Sequence, residues 1–224
     1  MDDQSYEDAY RSWTTSLTTL LADASLLARW QERRYRFAHR LGALLTGTND
    51  DEPATTGPVL YGVFASGAGL CYVGQTQAAE RRLRDLPVGE SHHLANTVPP
   101  ELWERVVVIR WPLLLSEAPE DEQAVAAELG LGVCGLALEH MLQVRTAPPL
   151  NSRRRTDGDW RPRDLARSRS RGAVHAQSLP GLSRLVLAAW EDLSERGKPE
   201  HSAVVDTGVG RVVFPAALHE PAVG

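Results

Sequence analysis

The sequence predicts an α/β fold: a small three-stranded, mainly antiparallel sheet flanked by helices. A helical hairpin precedes it, and a helix with a small β-hairpin follows. Three observations carry this. Two short β-rich runs, 59–64 and 70–73, are separated by the turn-forming Ser66-Gly67-Ala68-Gly69. A third run, 105–111, is the most hydrophobic strand candidate in the chain. Outside this block, apolar residues recur at helical spacing. The 224 residues suffice for one substantial core, and 42% hydrophobic with 24% charged residues is an ordinary globular composition. No apolar run approaches the length that spans a bilayer.

Residues 1–46 read as a helical hairpin. Tyr6, Tyr10, Trp13, Leu17, Leu20 and Leu21 form one stripe; Leu27, Trp30, Phe37, Leu41 and Leu44 form a second. The aromatic residues of these stripes are expected in the core. Acids, Pro and Gly mark residues 47–58 as a loop. In the block 58–151, Gly74 stops the second strand and a basic helix covers 78–86. A loop over 87–100 holds His92 and His93. Pro119 followed by Glu120, Asp121 and Glu122 starts a helix, with acids at the positive end of its dipole. That helix stops at Gly130, and a last helix covers 133–145 until Pro148-Pro149.

Charge is distributed unevenly. The net charge is −5, but 145–171 holds nine Arg against three Asp, which leaves −11 on the rest. Residues 152–177 are expected to be a flexible Arg-rich segment, either a solvated loop or a seat for a polyanion. Residues 178–224 resume order with the stripe Leu182, Leu185, Val186, Ala189 and Leu193, then a hairpin turning at Thr207-Gly208-Val209-Gly210. Cys71 and Cys134 lack metal-ligand spacing and cannot staple a chain of this size, so a reducing cytoplasm is expected. The acidic N-terminus, Met1-Asp2-Asp3, argues against a secretory leader.

Five chemistry-bearing residues stand in a definite order. Tyr61 and Tyr72 lie on paired strands with ten residues between them, and Arg82 falls ten residues later on the next helix. Glu139, flanked by Leu138, Leu142 and Val144, sits in a largely apolar helix, where a carboxylate is expensive without a partner or a cation. Asn151 follows twelve residues on, after the proline break. Singly, each has a plainer explanation: β-propensity for the tyrosines, a solvated face for Arg82 between Arg81 and Arg84, and a turn for Asn151. Jointly, the order resembles the GIY-YIG nuclease superfamily over 58–151. Val59-Leu60-Tyr61 stands for the first motif and Tyr72-Val73-Gly74 for the second. Arg82, Glu139 and Asn151 stand for the family's helix Arg, metal-binding Glu and terminal Asn.

The resemblance implies a metal-dependent endonuclease that hydrolyses DNA phosphodiester bonds. It implies that Glu139 holds Mg²⁺ or Mn²⁺, a hard ion that keeps its water. Arg82 would neutralise the phosphate. Tyr61 would help deprotonate the attacking water, Tyr72 would hydrogen-bond phosphate or nucleophile, and Asn151 would position the metal shell or the helix of Glu139. Gly74, Arg81, Arg153, Arg154 and Arg155 are expected at the substrate. DNA is the expected partner, with no membrane.

Three departures qualify the match. Val59 stands where the name-giving Gly belongs, and a competing register, Gly62-Val63-Phe64, would put Phe64 at the catalytic hydroxyl. Leu86 stands where many members carry His or Tyr, a gap that His92 or His93 would have to fill. The stretch between the third strand and Glu139 carries an extra helix. A weakened, non-cutting nucleic-acid binder and an interaction scaffold built on the terminal helices therefore remain alternatives.

Overall fold

The computed structural model describes residues 3–47, 54–89, 94–151, 153–156, 159–162 and 164–219. The chain divides into two compact units, Met1–Ala38 and His39–Gly224. The first holds α1 (Asp3–Leu21) and the start of α2 (Ala24–Thr46). Asp23 starts α2: its Oδ1 accepts from the Ser25 hydroxyl at 2.8 Å and from the Leu26 and Ser25 amides at 3.2 and 2.8 Å, and these bonds hold its carboxyl below the usual range. The aromatic stripe of α1 is not core. Tyr6, Tyr10 and Trp13 are 59, 52 and 56% exposed. Helical spacing fixes a stripe but not what covers it.

The second unit is built on a sheet of five antiparallel strands, not three. In chain order these are β1 (Val59–Ala65), β2 (Gly69–Thr76), β3 (Trp103–Ile109), β6 (Val204–Asp206) and β7 (Gly210–Val213), arranged β2-β1-β3-β7-β6. The C-terminal hairpin extends the sheet by pairing β7 with β3, from Val106 opposite Val213 to Ile109 opposite Gly210. The reason lies in β3, whose Val106, Val107, Val108 and Ile109 are all fully buried. A strand apolar on both faces belongs inside a sheet with both edges paired. Arg211 of β7 is buried, ion-paired to Asp206 at 2.8 Å and donating to the Leu44 carbonyl at 2.6 Å.

Between β2 and β3 lie the short helices α3 (Ala79–Asp85) and α4 (Leu94–Thr97). The expectation for His92 and His93 falls outside the described residues. After β3, a 3-10 turn leads into α5 (Glu120–Thr146), which is broken at Gly130 by a left-handed φ of 74°. Glycine adopts that conformation without steric cost. Helix α5 is long and apolar enough to cross a membrane by composition, yet here it packs on β1, β2 and the helices that follow.

Within 152–177 the structure defines β4 (Arg153–Thr156) paired antiparallel with β5 (Asp159–Pro162), and helix α6 (Arg171–His175). Ser170 caps α6 by accepting from the Ala173 amide. Gly172 lets α6 approach the Leu136 carbonyl so closely that no Cβ would fit. Helix α7 (Pro180–Glu195) starts on the buried Glu122, which accepts from the Gly181 and Leu182 amides at 2.6 and 2.8 Å. A carboxylate at a helix N-terminus satisfies orphan donors and meets the positive end of the dipole. One core cluster joins Leu60, Val73, Val107, Ile109 and Val212 of the sheet to Cys134, Leu138 and Leu142 of α5 and Val186 and Trp190 of α7.

Candidate active site

The site begins with strand alternation. Tyr61 lies opposite Gly74 across the β1–β2 pair, so these residues and Tyr72 share one face. Leu60 and Val73 point the other way, into the core cluster with α5. Gly74 is required by the tyrosines. A Cβ there would lie 2.7 Å from Cζ and Oη of Tyr61 and 2.8 Å from Cε1 of Tyr72. The two rings sit 6.1 Å apart at 37°. Tyr61 is only 1% exposed, while Tyr72 is half-buried.

Electrostatics ties four of the five predicted residues together. Burial pushes the Tyr61 hydroxyl well above its usual value, with Tyr72 and Glu139 adding to the rise and Arg82 opposing it. Tyr72 is pushed up to about 12, mainly by burial and then by Glu139, with Tyr61 and Arg82 opposing. A hydrogen bond between the two hydroxyls adds to the rise of Tyr61 and opposes that of Tyr72. Arg82 and Glu139, from α3 and α5, therefore act on the same two hydroxyls.

Asn151 joins this cluster through the backbone of β2. Its Oδ1 accepts from the Val73 amide at 2.7 Å, and its Nδ2 donates to the Val73 carbonyl at 2.8 Å. Strand β2 is a sheet edge, so without Asn151 these groups would lack a strand partner. Ala147, with a left-handed φ of 46°, ends α5 and turns the chain toward β2, where the Leu150 amide donates to the Cys71 carbonyl. Asn151 thus holds the strand between Tyr72 and Gly74 rather than the helix of Glu139.

The sequence reading missed Gln143. This buried residue lies one turn after Glu139 on α5, and its Nε2 donates to Glu139 Oε1 at 3.0 Å and to the Val73 carbonyl at 3.4 Å. It bridges the carboxylate to the strand that Asn151 grips. The available signal was an amide four residues after a lone acid in an apolar helix, a spacing at which helix neighbours meet.

The other predicted positions fall as follows. Arg81 is exposed on α3. Leu86 is fully buried and offers nothing to the site. Arg153, Arg154 and Arg155 lie on β4, and their side chains are outside the described residues. Phe64, the residue of the competing register, stacks on Trp190 at 6.3 Å and packs on the core cluster. Among the described residues, no three His, Cys, Asp or Glu side chains gather as a metal cluster. A groove of ≈ 580 Å³ along α5, lined by Leu113, Leu115, Gln123 and Leu131 among others, shares no residue with the tyrosine cluster. No family model, curated protein or solved structure matches this chain.

Proposed function

We propose that the chain is a metal-dependent endonuclease that hydrolyses DNA phosphodiester bonds at a GIY-YIG-type site. The observation that carries this reading is the coupling of Tyr61, Tyr72, Arg82 and Glu139, one cation and one carboxylate acting on a hydrogen-bonded hydroxyl pair.

Each residue then has a task. Arg82 offers a planar fork of donors to the phosphate. Tyr72, the more accessible hydroxyl, meets phosphate or attacking water. Tyr61, kept neutral by burial, hydrogen-bonds Tyr72 and fixes its orientation, which favours a positioning task over the proton-acceptor task its motif implies. Asn151 and Gln143 hold β2 and Glu139 in register. The donor set fits a hard ion: one half-buried carboxylate, Glu139, suits Mg²⁺ or Mn²⁺, which bind through few carboxylates and keep much of their water. Such an ion would polarise the phosphate and acidify bound water. Gly74 and Arg81 border the substrate in this reading. Arg153, Arg154 and Arg155 supply phosphate contacts, DNA is the partner, and the compartment is the cytoplasm with no membrane.

A second reading is favoured by two observations. Leu86 is fully buried where a proton-handling side chain would stand, and burial raises both tyrosine hydroxyls. These suit a relative that binds DNA without cutting it.

The deciding experiment is cleavage and binding with Mg²⁺ or Mn²⁺, run on the unmutated protein and on Glu139→Gln. The nuclease reading expects cleavage that Glu139→Gln abolishes while DNA binding survives. Arg153, Arg154 and Arg155 replaced together by Ala should weaken binding and flatten its salt dependence, by roughly 0.9 in log–log slope per lost phosphate contact. Salt-sensitive binding with no cleavage by the unmutated protein selects the second reading.

A further inference from the structure

We infer that the Met1–Ala38 unit is a self-association element, in which α1 of one copy packs against α2 of a second copy of this chain.

The spacing of its apolar residues is the first observation. On α1, Tyr6, Tyr10, Trp13, Leu17 and Leu20 follow one another by alternating steps of four and three. On α2, Leu27, Trp30 and Phe37 keep to the same alternation, with Arg34 at the position between Trp30 and Phe37. That alternation is the seam of helices that pack along their length.

Exposure is the second. Among residues 4–36 none is buried. Leu17, Leu20, Leu27 and Trp30, on either side of the turn at Asp23, are half-buried. The far end of the α1 seam is open, with Tyr6, Tyr10 and Trp13 each more than half exposed. Their rings form one strip, with Tyr6 and Tyr10 6.3 Å apart and Tyr10 and Trp13 5.5 Å apart. Two helices alone cannot cover such a strip, whereas four can.

Charge identifies the occupant. Helix α1 carries three acids against Arg11, and α2 carries five Arg against Glu32. The covering partner should bring a matching seam flanked by the opposite charge. For α1, the α2 of another copy has both properties. A two-fold dimer forms that contact twice, because the same surface serves on both copies. The level also matches: Asp8 and Arg36 lie at similar distances before and after the turn at Asp23, so copies with their turns at the same end bring acids beside Arg.

The test uses the full-length chain in sedimentation velocity across a wide concentration range. A concentration-dependent dimer is expected, and a monomer throughout overturns the inference. Tyr10→Ser with Trp13→Ser should weaken the dimer by at least about tenfold, and an unchanged dimer overturns it. The sharper arm reverses charge at exposed positions. One variant carries Glu7→Arg and Asp8→Arg, and the other Arg33→Glu and Arg36→Glu. Each should be monomeric alone, with unchanged far-ultraviolet circular dichroism. An equimolar mixture should form a heterodimer, because each α1 then faces an α2 of opposite sign. Failure of the mixture to associate, or dimerisation of either variant alone at the unmutated strength, places the contact elsewhere and overturns the inference. Nothing in this test depends on nuclease activity.

Discussion

Asn151 closes both ends of its side-chain amide on one backbone unit, accepting from the Val73 amide at 2.7 Å and donating to the Val73 carbonyl at 2.8 Å. The two residues are 78 positions apart. This contact carries the segment after α5 onto the edge of β2, next to Tyr72. Asn151→Ala should cost about 1–3 kcal/mol, because it strips two partners from a part-buried strand edge. Asn151→Asp keeps the acceptor but loses the donor, and should also destabilise. Denaturant unfolding of the three proteins checks this; an Asp variant as stable as the parent would show that the Val73 carbonyl does not need the Asn151 donor.

Gln143 should matter to Glu139 more than to folding. Gln143→Leu fills the same buried space but removes the hydrogen bond to Oε1 and the weaker one to Val73. If the nuclease reading holds, cleavage should fall roughly 10–100-fold, as for other groups that orient a metal ligand. DNA affinity should stay near that of the parent, and more Mg²⁺ should be needed for half-maximal rate. Cleavage kinetics against metal concentration measures both effects. Unchanged metal dependence would mean that Gln143 does not orient the carboxylate.

Gly74 should not tolerate a side chain. A Cβ would sit 2.7 Å from the Tyr61 ring, closer than real Cβ contacts allow, and that ring is buried. Gly74→Ala should cost about 1–3 kcal/mol through overpacking, and Tyr61→Phe in the same chain should not relieve it, since Cζ is as close as Oη. Thermal melts of the single and double variants test this. Full recovery in the double variant would place the conflict at the hydroxyl alone.

The tyrosine pair predicts an alkaline loss of stability. Both hydroxyls are held above their usual value in the folded state, mainly by burial. The unfolded chain releases these protons above about pH 10, while the folded chain retains them, Tyr72 until about 12. The folded state then binds more protons, so stability falls as pH rises. The contribution is intact below pH 10 and is lost on the way up to the folded values. Tyr72→Phe should reduce the downward slope between pH 10 and 12, by up to about 1.4 kcal/mol per pH unit. Urea unfolding at several alkaline pH values measures it, and identical slopes in both proteins would show that Tyr72 ionises alike folded and unfolded.

The strands β1, β2 and β3 were legible from the sequence because alternation, turn glycines and a β-branched run are local properties. So was the break at Gly130, where the chain needs a conformation that glycine adopts freely. The order Tyr61, Tyr72, Arg82, Glu139, Asn151 was readable too, since strand and helix register are both counted along the chain. Tertiary structure decided the rest. Pattern alone leaves open which edge a strand pairs with, so the joining of β7 to β3 emerged only when the buried β3 had to satisfy its backbone. Gln143 and the grip of Asn151 on Val73 depend on α5 lying along the edge of β2, a contact that no local window contains. The Tyr6–Tyr10–Trp13 stripe shows the same limit. Periodicity puts three aromatic rings on one face of α1, but their burial depends on whether another surface covers them.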